Sequence, residues 1–313
     1  MRVVSGPRQG PVPKAALRDL LQAVQDSVPV ALVPLPERLI AWEAACAEAR
    51  HFKVDVSFSL GVDGQSRARL SVNDKGEAVA FRERVLEQRE ALQLPADVRA
   101  FFALVPPGEL KTTLGVKWGA DGGRPERVSL YFEELYRTPR YAEVTDAVFA
   151  LAGLGSPPVA DPLVPISACI DWVDGQMSAV KDYYLETWQE GEEEFPLPPV
   201  QDAFRRSLGL HARKGTRRCL VARRFSVSGG LVGHKVLWMT EAHHIDRVAA
   251  AWAQVDRLRA SLGIPDSSTS VAMDTLRATW RHGPETFLYP DLVSLDVDVD
   301  EQVRGLTVYV SVK

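Results

Sequence analysis

Hydrophobic and polar residues alternate strictly over residues 52–60, FKVDVSFSL, where Phe52, Val54, Val56, Phe58 and Leu60 face away from Lys53, Asp55, Ser57 and Ser59. A period of two marks a strand with one dry and one polar face. Gly61, Asp63 and Gly64 break the pattern, and RARLSVN (67–73) resumes it, which predicts a hairpin. The same unit recurs four times. LKTTLGVKW (110–118) pairs with RVSLYFEEL (127–135) across ADGGRPE, and ISACIDW (166–172) pairs with MSAVKDYYLE (177–186) across Val173-Asp174-Gly175. RCLVARRFSV (218–227) pairs with GHKVLWM (233–239) across Ser228-Gly229-Gly230, and LVSLDVDVD (292–300) pairs with LTVYVSV (306–312).

Between the hairpins the apolar period changes to three and four, the signature of helices with one buried stripe. Such segments cover 14–28 and 36–50 before the first hairpin, 76–92 and 95–105 after it, and 140–154 after the second. Further segments cover 198–210, 242–263 and a weaker stretch around 268–281. Pro36 suits a first helical turn, and Gly153 or Gly155 suits a C-terminal cap. The chain therefore reads as five helix-helix-strand-strand units. An open sheet of ten strands would leave two long edges, which closure into a barrel removes. Helices then cover the apolar outer face, and the polar faces line a lumen wider than side chains alone fill. The expected class is α+β: a ten-stranded antiparallel barrel surrounded by helices.

Length alone, 313 residues, suggests about two domains. Five repeats of roughly 60 residues without a linker point instead to one domain over 1–313. The net charge of −4 gives no global attraction to nucleic acid or to an anionic membrane. No apolar run approaches the roughly 18 residues of a membrane span. The N-terminus, MRVVSGPRQGPVPK, has no signal-peptide core. Cys46, Cys169 and Cys219 form neither a disulfide framework nor a metal knuckle, and each reads as a buried thiol. These features lead to the expectation of a cytoplasmic protein with a large core.

Alternation assigns an inward set that includes Asp55, Ser57, Arg67, Arg69, Lys111, Lys117, Arg127, Tyr131, Lys181, Tyr183, Lys235, Asp296, Thr307 and Tyr309. Only one of the adjacent pair Arg223 and Arg224 can point inward, and the pattern leaves open which. Basic residues thus sit on at least one strand of each of the first four hairpins. Like charges around one cavity repel, so the set implies an anionic ligand. A diphosphate fits, because arginine forks grip phosphate oxygens in pairs and lysine adds point charge. Tyrosine ring faces suit a cation held beside it. Glu133, Asp171, Asp296 and Asp298 add more inward acid than a simple anion site needs. They would suit Mg²⁺, a basic acceptor or a ligand other than diphosphate.

This organisation resembles the ABBA (aromatic prenyltransferase) family, across about residues 14–313. Within it the chain looks most similar to the soluble cyanobactin-type peptide prenyltransferases. The stretch VPLPERLIAWEAACAEARHFKVD is similar to the family's first helix running into its first strand, and GLTVYVSVK to its last strand. The resemblance implies transfer of a dimethylallyl or geranyl group from its diphosphate to an electron-rich acceptor, a peptide side chain or a small aromatic. It implies Arg67 or Arg69, Lys117, Lys181, Arg224 and Lys235 as diphosphate ligands, and Tyr131, Tyr183 and Tyr309 as shields for the allyl cation. It implies Asp55 as the residue that orients the acceptor or takes its proton. The resemblance also implies prenyl diphosphate as co-substrate and Mg²⁺ as an optional helper ion, with no protein-held metal site expected.

Other signals point elsewhere. EGEEE (190–194) reads as a solvated loop. Adjacent His243 and His244 diverge on a helix and make a poor metal site. Gly122-Gly123 and Gly229-Gly230 read as hairpin turns, because no helix follows them. The competing function is a barrel that binds an anionic or apolar ligand, or a peptide, without transfer.

Overall fold

The computed structural model describes residues 53–73, 78–96, 98–118, 125–157, 164–188, 217–240, 245–279 and 287–312. The segments expected to be helical at 14–28, 36–50 and 198–210, the EGEEE stretch and the His243-His244 pair lie outside these. All ten expected strands are present: β1 Lys53–Gly61, β2 Ser66–Asn73, β3 Lys111–Trp118, β4 Pro125–Glu133 and β5 Val164–Val173. They continue as β6 Gln176–Trp188, β7 Arg217–Ser226, β8 Leu231–Met239, β9 Leu288–Val297 and β10 Val303–Val312. Every neighbouring pair is antiparallel, and β1 pairs with β10 to close the barrel.

The turns have local causes. Asp174 and Gly175 join β5 to β6 with φ of 49° and 73°. Positive φ at both central residues is the type I′ turn, whose twist matches the strands it joins. The last hairpin departs from the expectation. β9 ends at Val297, and Asp298, just beyond it, organises the turn while still lining the lumen. Its carboxylate accepts from the backbone N–H groups of Asp300 and Gln302 at 2.9 Å each, and from Arg304 Nε at 2.5 Å.

The described helices are α1 Ala78–Glu87, α2 Val98–Ala103, α3 Tyr141–Leu151, α4 Ile245–Ser261 and α5 Ser268–Thr279. None is long and apolar enough to cross a membrane. α3 ends as its sequence suggests. Gly153 takes φ 70°, its N–H bonds Ala150 O at 2.9 Å, and Leu154 N–H bonds Phe149 O at 3.0 Å. Before the third hairpin the helix expected over 140–154 is α3, and a 3₁₀ turn, Leu135–Arg137, precedes it.

The core lies between barrel and helices, not inside the barrel. Phe58, Leu130, Phe132, Ile170, Val236, Leu295 and Val308 project outward from the strands and are fully buried. Phe101 on α2 stacks on Phe132 with ring centroids 4.3 Å apart, and meets Trp172 edge-on at 6.1 Å. Because the dry faces of these strands are consumed by this shell, the opposite face supplies the lumen.

Candidate functional site

Register brings scattered residues of the chain into rows. Side chains directly opposite on one face of antiparallel strands stand about 5 Å apart. One row runs Tyr309, Ser57, Arg69, Lys117, Arg127 over β10, β1, β2, β3 and β4. A second runs Tyr131, Cys169, Lys181, Arg224 over β4 to β7. A third runs Tyr183, Ala222, Lys235, Asp296 over β6 to β9. The rows meet at one cavity of about 290 Å³. Arg67, Arg69, Lys117, Lys181, Arg224 and Lys235, the six expected diphosphate ligands, all line it. Arg127, expected in the lumen but given no role, lines it as well. The open choice between the adjacent arginines is settled: Arg224 lines the cavity, and Arg223 binds Asp182 on the outer face of the wall.

The excess acid is neutralised before any ligand arrives. Lys181 Nζ lies 2.8 Å from Asp171, and Arg127 lies 3.7 Å from it. Ser129 donates to the same carboxylate at 2.6 Å. Burial alone would raise this carboxyl. Lys181 and Arg127 outweigh it and hold Asp171 well below the usual carboxylate range. The same pairing offsets burial at Lys181 and raises its ammonium to about 12. Lys235 pairs with Asp296 at 2.5 Å, and Arg67 with Glu126 at 2.7 Å near the mouth. Lys111 takes Glu133, and Asp298 is occupied by its own turn. What remains is unpaired base: among the described residues, no carboxylate forms an ion pair with Arg69, Lys117 or Arg224. Nε of both Arg69 and Arg224 is buried without a hydrogen-bond partner.

The tyrosines divide. Tyr183 lines the cavity. Tyr131 is buried beneath it, with the Arg69 guanidinium 5.1 Å and Lys181 Nζ 5.7 Å from its ring centroid, and its ring 5.9 Å from that of Tyr183. Tyr309 ends the first row but is not among the residues that line the cavity. Burial raises the Tyr131 and Tyr183 phenols, so both stay protonated donors at neutral pH. Asp55 sits in β1 opposite Ser71, and its side chain lies outside the described residues. Cys169 is a buried thiol, as expected, and burial pushes it up to about 12, out of reach of thiolate chemistry at neutral pH.

Gly115 was missed by sequence reasoning. It occupies an inward position of β3, and a methyl group there would stand 2.1 Å from Arg69 Nη2 and 2.6 Å from its Nε. The missing side chain is the space in which the guanidinium lies. A glycine inside a strand signals such an approach, and this one was readable in LKTTLGVKW. Asp171 was readable as an inward acid, but not as the counter-ion of a specific lysine on the next strand.

Among the described residues Mg²⁺ finds no prepared protein site. Among the described residues no cluster of three His, Cys, Asp or Glu side chains could hold a metal ion, and Asp171 and Asp296 are each engaged by a lysine.

No family model and no curated protein matches the sequence. Solved structures match closely in shape. The 6-dimethylallyltryptophan synthase from Micromonospora olivasterospora, solved with DMASPP and Trp, has a TM-score of 0.67 at 15% identity, covering 95% of this chain and 96% of that one. AnaPT from Neosartorya fischeri has a TM-score of 0.62 at 12% identity, with 96% and 94% covered. NotF, solved with brevianamide F and DMSPP, has a TM-score of 0.56 at 11% identity, with 98% and 97% covered. The ten-stranded antiparallel barrel with its coat of helices is thus the fold of these prenyltransferases.

Proposed function

We propose that this chain is a prenyltransferase that moves a dimethylallyl or geranyl group from its diphosphate to an electron-rich acceptor inside the barrel. The carrying observation is the cavity itself: eight lysines and arginines line it, and among the described residues three of them have no carboxylate partner. A diphosphate offers the matching charge, and Arg69 and Arg224 offer unfilled donors to its oxygens. Likeness to prenyltransferases solved with DMASPP and DMSPP supports the same ligand class.

In this reading the allylic C–O bond breaks as the basic ring takes up the charge of the departing diphosphate. The cation is held beside the Tyr183 and Tyr131 rings, away from water. An acceptor carbon or heteroatom forms the new bond and gives its proton to a base, the role assigned to Asp55. No step needs a protein-held metal ion. The acceptor is a peptide side chain or a small aromatic, the enzyme works in the cytoplasm, and residues 1–313 form one domain.

The test is incubation with dimethylallyl and geranyl diphosphate and a panel of Trp, Tyr, Arg and His peptides and small phenols, read by mass spectrometry. A prenylated product that vanishes in Lys117→Ala/Lys235→Ala supports transfer. Diphosphate binding with no product on any acceptor supports the binding barrel instead. Absence of both overturns the reading.

A further inference from the structure

Lys117 stands apart within the ring. Its two cross-strand partners are Arg69 on β2 and Arg127 on β4, so like charges flank it on both sides. Like charges directly opposite one another destabilise a sheet. Across the cavity it faces Lys235 on β8, Asp296 on β9, and Lys181 and Arg224 on β6 and β7. The one carboxylate in that set, Asp296, is already bound to Lys235. The other lysines that line the cavity differ in kind: Lys181 lies on Asp171 and Lys235 on Asp296. Arginine cannot relieve crowding of this sort by losing its proton, because its guanidinium stays charged in proteins. Lysine can. The side chain is half-buried on a cavity wall, so protons can reach it.

Resting on the reading of this cavity as a diphosphate site, we propose that Lys117 is its proton-uptake residue. In the free protein it stands as a neutral amine, and it takes one proton from solvent when a diphosphate enters. The balance is simple: buffer acid gives H⁺ to the amine, the ammonium forms, and no covalent bond to the ligand is made. Burial first, then Lys235, Arg127 and Arg69, lower its affinity for a proton well below that of ordinary lysine, against the opposing pull of Asp296. A bound anion reverses the sign of the local field. The cavity thereby gains a positive charge only when there is a negative one to hold, and the free barrel is spared a third uncompensated cation beside Arg69 and Arg224.

The experiment is calorimetric titration with the thiolo analogue of dimethylallyl diphosphate, which resists ionisation, in two buffers of different ionisation enthalpy. At about pH 8.5 the ligand is fully deprotonated, whereas ordinary lysine is not. The expected result is uptake of close to one proton per ligand in the native protein and in Lys111→Met, and none in Lys117→Met. The second measurement needs no variant. Affinity of the native protein should fall about tenfold per pH unit as pH rises between the free and bound pKa values of Lys117, and be flat below that window. Binding with no buffer-dependent heat, a pH-independent affinity, or equal uptake in Lys117→Met overturns the proton-uptake role and leaves the diphosphate site standing. No binding at all overturns the diphosphate reading, and the inference with it.

Discussion

Arg223 and Arg224 are neighbours in the chain and opposites in the fold. Arg223 lies on the outer face of β7, where its Nε and Nη2 grip both oxygens of Asp182 at 3.1 and 2.7 Å. Tyr184 donates to the same carboxylate at 2.9 Å and accepts from Nη2 at 3.1 Å, which ties the three side chains together. Arg224 points into the cavity, is partly buried, and leaves its Nε without a partner. Burial lowers its proton affinity, and Arg127 adds to the effect. A buried charge with its partners in place is part of the wall. A buried charge without them costs stability that only a ligand recovers. The same division holds across the molecule: Lys181 and Lys235 are each fixed by an acid, whereas Arg69, Lys117 and Arg224 are held ready.

The hardest blow to this division is Asp171→Asn. It removes the carboxylate under Lys181 and Arg127 and leaves both without a counter-ion. Breaking a buried pair by removing one partner costs about 3–5 kcal/mol. We expect a loss of that size in urea unfolding, and a larger gain in thermal stability on adding pyrophosphate than the native protein shows. The pH dependence has a definite sign. The folded Asp171 carboxyl is held below its unfolded value, so its contribution is full above the ordinary carboxylate range. It is lost as pH falls through the folded value. The variant should therefore lose the steepest part of the acid-unfolding limb. An unchanged limb would mean that Asp171 is not the ring's anchor.

Next in size is the paired contrast of the two arginines' settings. Asp182→Ala removes the carboxylate that Arg223 and the Tyr184 hydroxyl share, a loss of about 2–3 kcal/mol in stability, with diphosphate affinity unchanged within twofold. Arg224→Ala should do the reverse. Stability stays within about 1 kcal/mol, and diphosphate binding weakens by about 10- to 100-fold, the worth of one or two hydrogen bonds to a charged group. Unfolding curves and binding isotherms on both variants decide it. Loss of stability in Arg224→Ala equal to that in Asp182→Ala would erase the distinction between wall and site.

Much of this was legible in the chain, for a physical reason. Strand period, turn residues and helix stripes are local, so KVDVSFSLG and LTVYVSV declare their faces without any knowledge of partners. Inward bases follow from parity, and all six expected diphosphate ligands do line one cavity. What parity cannot supply is register between strands distant in sequence. It could not choose Arg224 over Arg223, since both sit in one unbroken apolar and basic run. Nor could it show that Asp171 and Asp296 were neutralised by lysines on the next strand, and so the acids looked like a second ligand site. Asp298 does line the cavity, but parity could not show that its carboxylate is spent on the turn, because DVDVD keeps its alternation in letters after the strand has ended in space. The turn's demand for an acceptor, met by the Asp298 carboxylate, outweighed the period.

The smallest effect is the most discriminating. Gly115 has no positive φ to preserve, so Gly115→Ala is open to the backbone, and alanine in a strand should stabilise by about 0.5–1 kcal/mol. The added methyl group can be accommodated only by moving the Arg69 guanidinium, the nearest heavy atoms to it. We therefore expect unchanged or slightly raised stability together with a loss of diphosphate affinity of about three- to tenfold. A double-mutant cycle identifies the cause. In an Arg69→Ala background the guanidinium is gone, and Gly115→Ala should then cost no affinity. If the loss persists in that background, the methyl group acts on the ligand or on β3 itself. Gly115 would then be a site residue in its own right, and not the space that lets Arg69 wait without a partner.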